Sequence, residues 1–190
     1  MKGVVTVNDF GETGYGELVC AEARLIQLPG HIDEAVAQRI NRGFYELAKQ
    51  GDAAITLLIS SGGGGVYAAT SIADTIAHVR SISSVKVVGR VHGYAMSAAI
   101  YPLLACDERE SSPNAMFMVH GMRDSQLGLD MNAMRAEQAA NEELVRMQSE
   151  WLGARTKRAA SDWIAILNES TPRYYTAAQA LEEGLVDSVT

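Results

Sequence analysis

Ser97 stands among small residues in the stretch Gly93-Tyr94-Ala95-Met96-Ser97-Ala98-Ala99, just past a strand-like apolar run and at the start of a helix-like one. Small neighbours let a backbone bend sharply and let a substrate approach. That is the strand-turn-helix logic of an exposed nucleophile, although the residues differ from the hydrolase elbow pattern. A serine at a helix start also has free N–H groups and the helix dipole nearby. An ordinary N-cap serine fits the same position. His120 ends the apolar run Met116-Phe117-Met118-Val119. An imidazole there could take the proton of a serine hydroxyl, or could be a satisfied core residue. His31, in a turn, and His78, between Ala77 and Val79 on a helical stretch, compete with it, and His78 reads as structural. His92 is near Ser97 in sequence and spacing alone does not remove it.

A third feature is Ser60-Ser61-Gly62-Gly63-Gly64-Gly65, which follows the apolar run Ala54 to Ile59. Four glycines free the backbone to turn and to aim N–H groups at one point. A plain tight turn is an equally good reading. A phosphate cradle is excluded, because a Walker loop needs Lys-Ser/Thr after the last glycine, and Val66-Tyr67-Ala68 follows here. A dinucleotide fold would place an acid at the end of the next strand, where His92-Gly93 stands.

The elements that must position these residues follow from periodicity. Val36, Ile40, Phe44 and Leu47 recur at helical spacing between Asp33 and Gln50, with Gly51 as the stop. Val4 to Val7 and Arg24 to Leu28 are short apolar stretches, the second broken by Gly30. Ala54 to Ile59 predicts a strand buried on both faces, as in parallel sheets. Ala69, Ile72, Ile76 and Val79 mark a helix, Val85 to Val91 a strand broken by Gly93, and Met96 to Cys106 an apolar helix. Ser112-Pro113-Asn114 is a turn, and residues 121–130 read as loop. Met131 to about Lys157 predicts a long helix. Thr176-Ala177-Ala178-Gln179 has the capping-box form with Gly184 as the stop, and residues 185–189 close as a strand. Strands alternate with helices at βαβ spacing, so right-handed crossovers give a parallel sheet with helices outside. Such sheets form sites at the carboxyl ends of their strands, where all three features fall. One α/β domain over 1–190 is expected, since repeats, low-complexity tracts and linkers are missing.

Composition narrows the classes further. Apolar residues at 47% and charged residues at 21% indicate a globular chain rather than disorder. A net charge of −7 gives no electrostatic case for nucleic acid or an anionic membrane. The longest apolar run, about Tyr94 to Cys106, is too short to span a bilayer, and the N-terminus lacks the apolar core of a secretion signal. Cys20 and Cys106 lack metal-ligand spacing and read as buried packing thiols in a reducing compartment. A cytoplasmic protein without metal or cofactor is expected.

Taken in order, four segments carry a family resemblance. Ile59-Ser60-Ser61-Gly62-Gly63-Gly64-Gly65-Val66 resembles an Ile-Asn-Ser-Pro-Gly-Gly-x-Val segment, and Gly93 to Ala98 resembles the nucleophile segment of the same family. Pro113 to His120 resembles its Pro-Asn-x-x-x-Met-Ile-His segment, and Ala177 to Asp187 its closing Ala-x-x-Ala-x-x-x-Gly-Leu-Val/Ile-Asp. The chain is thereby similar, from about Ala23 to Val189, to the Clp protease proteolytic-subunit (ClpP) superfamily of serine peptidases, including phage-type relatives. The resemblance implies a crotonase/ClpP-like fold of repeated βαβ units with a protruding long helix, the handle of stacked homo-oligomeric rings. It implies Ser97 as nucleophile, His120 as general base, and the N–H groups of Gly64 and Ala98 as oxyanion hole. It implies a polypeptide substrate bound as an added strand between Gly62, Gly63 and Gly65 on one side and about Gln126 to Asp130, with Gln126 and Gly128, on the other.

This chain departs from that pattern in three places. Pro172 stands where the family has its aspartate, and proline has no acceptor for an imidazole. Glu169 is the first candidate for that role and Asn168 the second, with a solvated loop carboxylate as the alternative for Glu169. Gly62 replaces a proline, and the N-terminus differs from the segment that housekeeping members place at their axial pore, so docking to an ATP-dependent unfoldase is an open expectation. The competing readings are a weak or inactive ring subunit and an acyl-CoA enzyme of the wider crotonase fold.

Overall fold

Every second residue from Ile55 to Ser61 is buried while Thr56, Leu58 and Ser60 are half-buried, so this strand has one fully covered face rather than the two expected. The computed structural model describes residues 18–121 and 131–190. In chain order its elements are β1 (Val19–Cys20), β2 (Leu25–Ile32), α1 (Glu34–Lys49), β3 (Ile55–Gly64), α2 (Val66–Ile82), β4 (Val87–Met96), a 3-10 turn (Ser97–Ala99) and α3 (Ile100–Ala105). There follow β5 (Glu108–Ser111), β6 (Met116–Val119), α4 (Met131–Gly153), α5 (Ala160–Leu167), β7 (Arg173–Thr176), α6 (Ala177–Glu183) and β8 (Ser188–Val189).

The sheet runs β1-β2-β3-β4-β5-β8, with β6 pairing both β4 and β7. All pairings are parallel except β1 with β2 and β6 with β7. This is the mostly parallel α/β fold expected from the βαβ alternation. The positioning feature is the fork of β4. Its first half, Val88 to Val91, pairs with β5, and its second half, Tyr94 to Met96, pairs with β6. Met96 lies opposite Met118 in a parallel pair. The chain therefore leaves β4 and β6 at the same end, Ser97 one residue past the register point and His120 two residues past it.

Local chemistry fixes the helix ends. The Asp33 carboxylate accepts the Val36 N–H at 2.8 Å, and Val36, Ile40, Phe44 and Leu47 are all buried. Burying such side chains contributes about 1.5–3 kcal/mol each, so this face, not helix propensity, holds α1 on β2. The capping box at Thr176 and Gln179 is formed on both sides, and Gly184 ends α6 at φ 79°.

Other expectations change. Gly30 does not break β2, which continues to Ile32 through a register shift between Gly30 and His31. Nor do the glycines end β3, where Gly63 and Gly64 pair with His31 and Ile32 of β2, or Gly93 end β4, which resumes pairing at Tyr94 and Ala95 after a register shift. The helix expected from Met96 begins as the 3-10 turn and ends at Ala105. The long helix stops at Gly153, and the last strand is Ser188–Val189. Cys106 is buried as expected, but Cys20 is exposed, since β1 turns Val19 inward and the next residue outward. Residues Val4 to Val7, the loop at 122–130 and its Gln126 and Gly128 lie outside the described residues. Among the described residues no helix is long and apolar enough to cross a membrane.

Arg24 ties the start of the sheet to the end of α1. Its φ is 49°, and its guanidinium donates to the carbonyls of Leu47, Gly51 and Ala53 at 2.9–3.0 Å. Charged hydrogen bonds of this kind are worth about 1.5–3 kcal/mol each when lost. Arg24→Ala should lower the unfolding free energy by about 2 kcal/mol, read as a lower urea midpoint with an unchanged slope. An unchanged midpoint would show that the clamp carries no stability.

Candidate active site

Ser97 is held in the left-handed region, at φ 55°. For a residue with a Cβ this costs on the order of 1–3 kcal/mol, and such strain persists only where the surroundings over-determine it. Here the surroundings are the tip of β3. Gly63 has φ 90°, and a Cβ added to it would lie 2.6 Å from the Met96 carbonyl oxygen, 2.8 Å from Ser97 Cβ and 2.9 Å from the Ala98 nitrogen. Only glycine lets β3 press this closely on the turn that carries Ser97. Ser61 fixes the glycine run from behind. It is fully buried, donates its hydroxyl to the Gly30 carbonyl at 2.7 Å and accepts the Gly63 N–H at 3.1 Å. Nothing in the sequence singled Ser61 out, because a serine before glycines reads as a turn residue.

His120 meets Ser97 from the neighbouring strand. Its Nε2 lies 2.9 Å from Ser97 Oγ, within hydrogen-bond range. The close approach behind it is made by Gly121, where an added Cβ would fall 1.9 Å from the Leu167 carbonyl oxygen. The rival histidines are elsewhere. His78 packs edge-on to the Tyr45 ring at 6.0 Å, and His31 and His92 are exposed on β2 and β4.

A cavity of about 270 Å³ opens beside the pair and is lined by Ser97, Ala98, Gly64 and His120. Its deeper walls are apolar, from Val66, Ile100, Val119, Leu152 and Leu167, with Tyr101 and Gln148 among them. Burial pushes the Tyr101 phenol well above its usual range, so it stays neutral. Of the other glycines proposed to flank a substrate, Gly62 and Gly65 are exposed and do not line the cavity, while Gly63 is buried against the serine turn. Among the described residues, no cluster of three or more His, Cys, Asp or Glu side chains is arranged as a metal site.

The other imidazole nitrogen is the anomaly. His120 Nδ1 is buried and has no hydrogen-bond partner among the described residues. A second cavity adjoins it, lined by His120, Asn141, Glu142, Asn168, Glu169 and Ser170 among others. Both acid candidates from the sequence, Glu169 and Asn168, reach this cavity, but neither bonds the imidazole. The Glu169 carboxylate is gripped by the Arg173 guanidinium, which donates to both of its oxygens and holds the carboxyl below the usual carboxylate range. Arg173 lies opposite Val119 in the β6–β7 pair, and its partner Glu169 lines the same cavity as His120.

Taken together, a strained serine hydroxyl, a histidine in contact with it and a glycine-lined opening are able to make and break an acyl ester. The family model described as Clp protease matches residues 14–190. Replacing Gly63 by alanine should displace Ser97. A misplacement of about 1 Å at a reacting group can cost about 10²-fold in rate, so Gly63→Ala should react with a fluorophosphonate at least about tenfold more slowly while keeping a native circular-dichroism spectrum. Labelling at the wild-type rate would show that the serine does not depend on this contact.

Proposed function

Because the chain belongs to the Clp protease family, we propose that it is a serine endopeptidase, one peptidase domain over residues 1–190, with Ser97 as nucleophile and His120 as general base. The observation that carries this reading is the 2.9 Å approach of His120 Nε2 to Ser97 Oγ. In the reaction, His120 takes the Ser97 proton as Oγ attacks the peptide carbonyl, then gives it to the leaving amine. The acyl-enzyme is hydrolysed by water, with the proton passing through His120 again. The N–H groups of Gly64 and Ala98 stabilise the oxyanion. Both residues line the cavity with Ser97, and one such donor is worth about 10²–10³ in kcat. The polypeptide runs past Gly62 and Gly65 as an added strand, with Gln126 and Gly128 on its other side. The exposed first part of α4 is the handle of a homo-oligomeric ring, and an ATP-dependent unfoldase is the partner that would feed it.

Glu169 takes the place of the third residue. As His120 becomes imidazolium, its Nδ1–H needs an acceptor, and a carboxylate serves that charge best. Glu169 lines the same cavity as His120 and reaches the ring by exchanging Arg173 for it. The structure's paired state is then the resting one. The unpartnered Nδ1 equally favours a second reading, a ring subunit that does not turn over.

Peptide hydrolysis by the purified assembly separates these readings. The account expects turnover that is lost in Ser97→Ala and falls about 10²–10⁴-fold in Glu169→Gln, the scale of losing an orienting acid. Arg173→Gln, which frees the carboxylate, should raise kcat. Turnover unchanged within twofold in Glu169→Gln would remove Glu169 from the mechanism, and its absence in the wild type would favour the inactive subunit.

A further inference from the structure

Gln148 is the one polar side chain of α4 that lines the cavity beside Ser97. It lies one turn before Leu152, on the same helix face, and Leu152 lines the cavity as well. Gln148 is only 6% exposed, and its Nε2 is buried without a hydrogen-bond partner among the described residues. Other polar side chains of this helix end satisfy themselves locally. The Ser149 hydroxyl donates to the Val145 carbonyl at 2.7 Å, and the Thr156 hydroxyl to the Leu152 carbonyl at 2.8 Å. Gln148 instead contributes to a cavity wall otherwise made largely of apolar side chains, with its Nε2 closed off from solvent. Buried amides are ordinarily paired, so one without a partner calls for an explanation.

We infer that Gln148 determines specificity, selecting peptides whose residue before the scissile bond ends in a neutral carboxamide, glutamine above all. This rests on the peptidase reading and adds the substrate class. Among the described residues the cavity is lined by no Asp, Glu, Lys or Arg, so a charged side chain would find no counter-charge among them. Its walls favour an apolar stem. A carboxamide is both donor and acceptor, so a glutamine stem laid along Val66, Ile100 and Leu167 brings to Gln148 the kind of group that can pair with its amide. A site that leaves a buried amide unpaired discriminates against isosteres that cannot pair with it. Methionine and leucine fill the space but leave the Gln148 N–H unsatisfied.

The test uses the full chain and matched fluorogenic peptides that differ only at the residue before the scissile bond: Gln, Met, Leu or Glu. Active serine is titrated with a fluorophosphonate. The wild type should cleave the Gln peptide with a kcat/KM at least equal to that of the Met peptide, and should cleave the Glu peptide at least tenfold more slowly than the Gln peptide. In Gln148→Met the Gln-to-Leu ratio should fall about tenfold, and Gln148→Asn should restore part of it. Each ratio is taken within one variant, so partial loss of folded protein cancels. A ratio unchanged within twofold in Gln148→Met overturns the inference. If that variant does not fold, a wild-type preference for Leu over Gln of more than tenfold overturns it instead. In both cases the titrated serine shows the peptidase reading still standing. A wild type whose Ser97 takes up no fluorophosphonate brings down both.

Discussion

The hydrogen bond between Ser97 and His120 depends on one constraint, the fork of β4. A single long strand pairs with β5 through its first half and with β6 through its second. Since β4 and β6 are parallel, their ends coincide, and residues twenty-three positions apart come to 2.9 Å. The tip of β3 closes the third side. There Gly63 lies so near the Met96–Ala98 turn that no side chain fits between them, and Ser61 locks the glycine run to β2. The left-handed backbone at Ser97 is the conformation left to the chain once these three strand tips are brought together.

How much of this was legible in the residues depended on whether local pattern and tertiary environment agreed. They agreed in α1, where the apolar period and the Asp33 cap mark the same helix, and in α6, where Thr176, Gln179 and Gly184 mark both ends. They disagreed at the glycines. Alone, Gly62 to Gly65 and Gly93 signal a break, yet β3 runs on along β2 to Gly64, and β4 passes Gly93 through a register shift and resumes pairing at Tyr94. The strands β5 and β7 were invisible for a different reason. Glu108-Arg109-Glu110-Ser111 has no apolar alternation, because its side chains meet charges across the sheet, Glu110 with Arg90 directly opposite and Glu108 with Lys86. The helix α5, whose buried anchor Trp163 donates to Thr156 at 2.8 Å, was missed because its eight residues are too short a window to show a helical period.

The site was legible in its nucleophile and base, and less so in what supports them. Ser97 and His120 each ended an apolar run, and ends of parallel strands are where sites form. What sequence could not supply was the partner of each side chain. Glu169 reaches the cavity next to the imidazole as its position suggested, but Arg173, four residues on, holds it there. Gln148 carried no signal at all, since a glutamine in a polar-faced helix reads as solvated until its burial is seen. The protein thus joins a sharply constrained nucleophile to a loosely specified acid, so that the hydroxyl is set by backbone packing and the imidazole by contacts that can change.

The most direct test of the central claim is the mass and location of the covalent adduct formed with a fluorophosphonate in the wild type and in His120→Ala. The account predicts one phosphonyl group per wild-type chain, mapped by peptide mass spectrometry to Ser97, with formation at least about a hundredfold slower when the imidazole is absent. An adduct on another residue, or one formed on Ser97 as fast without His120, would contradict it.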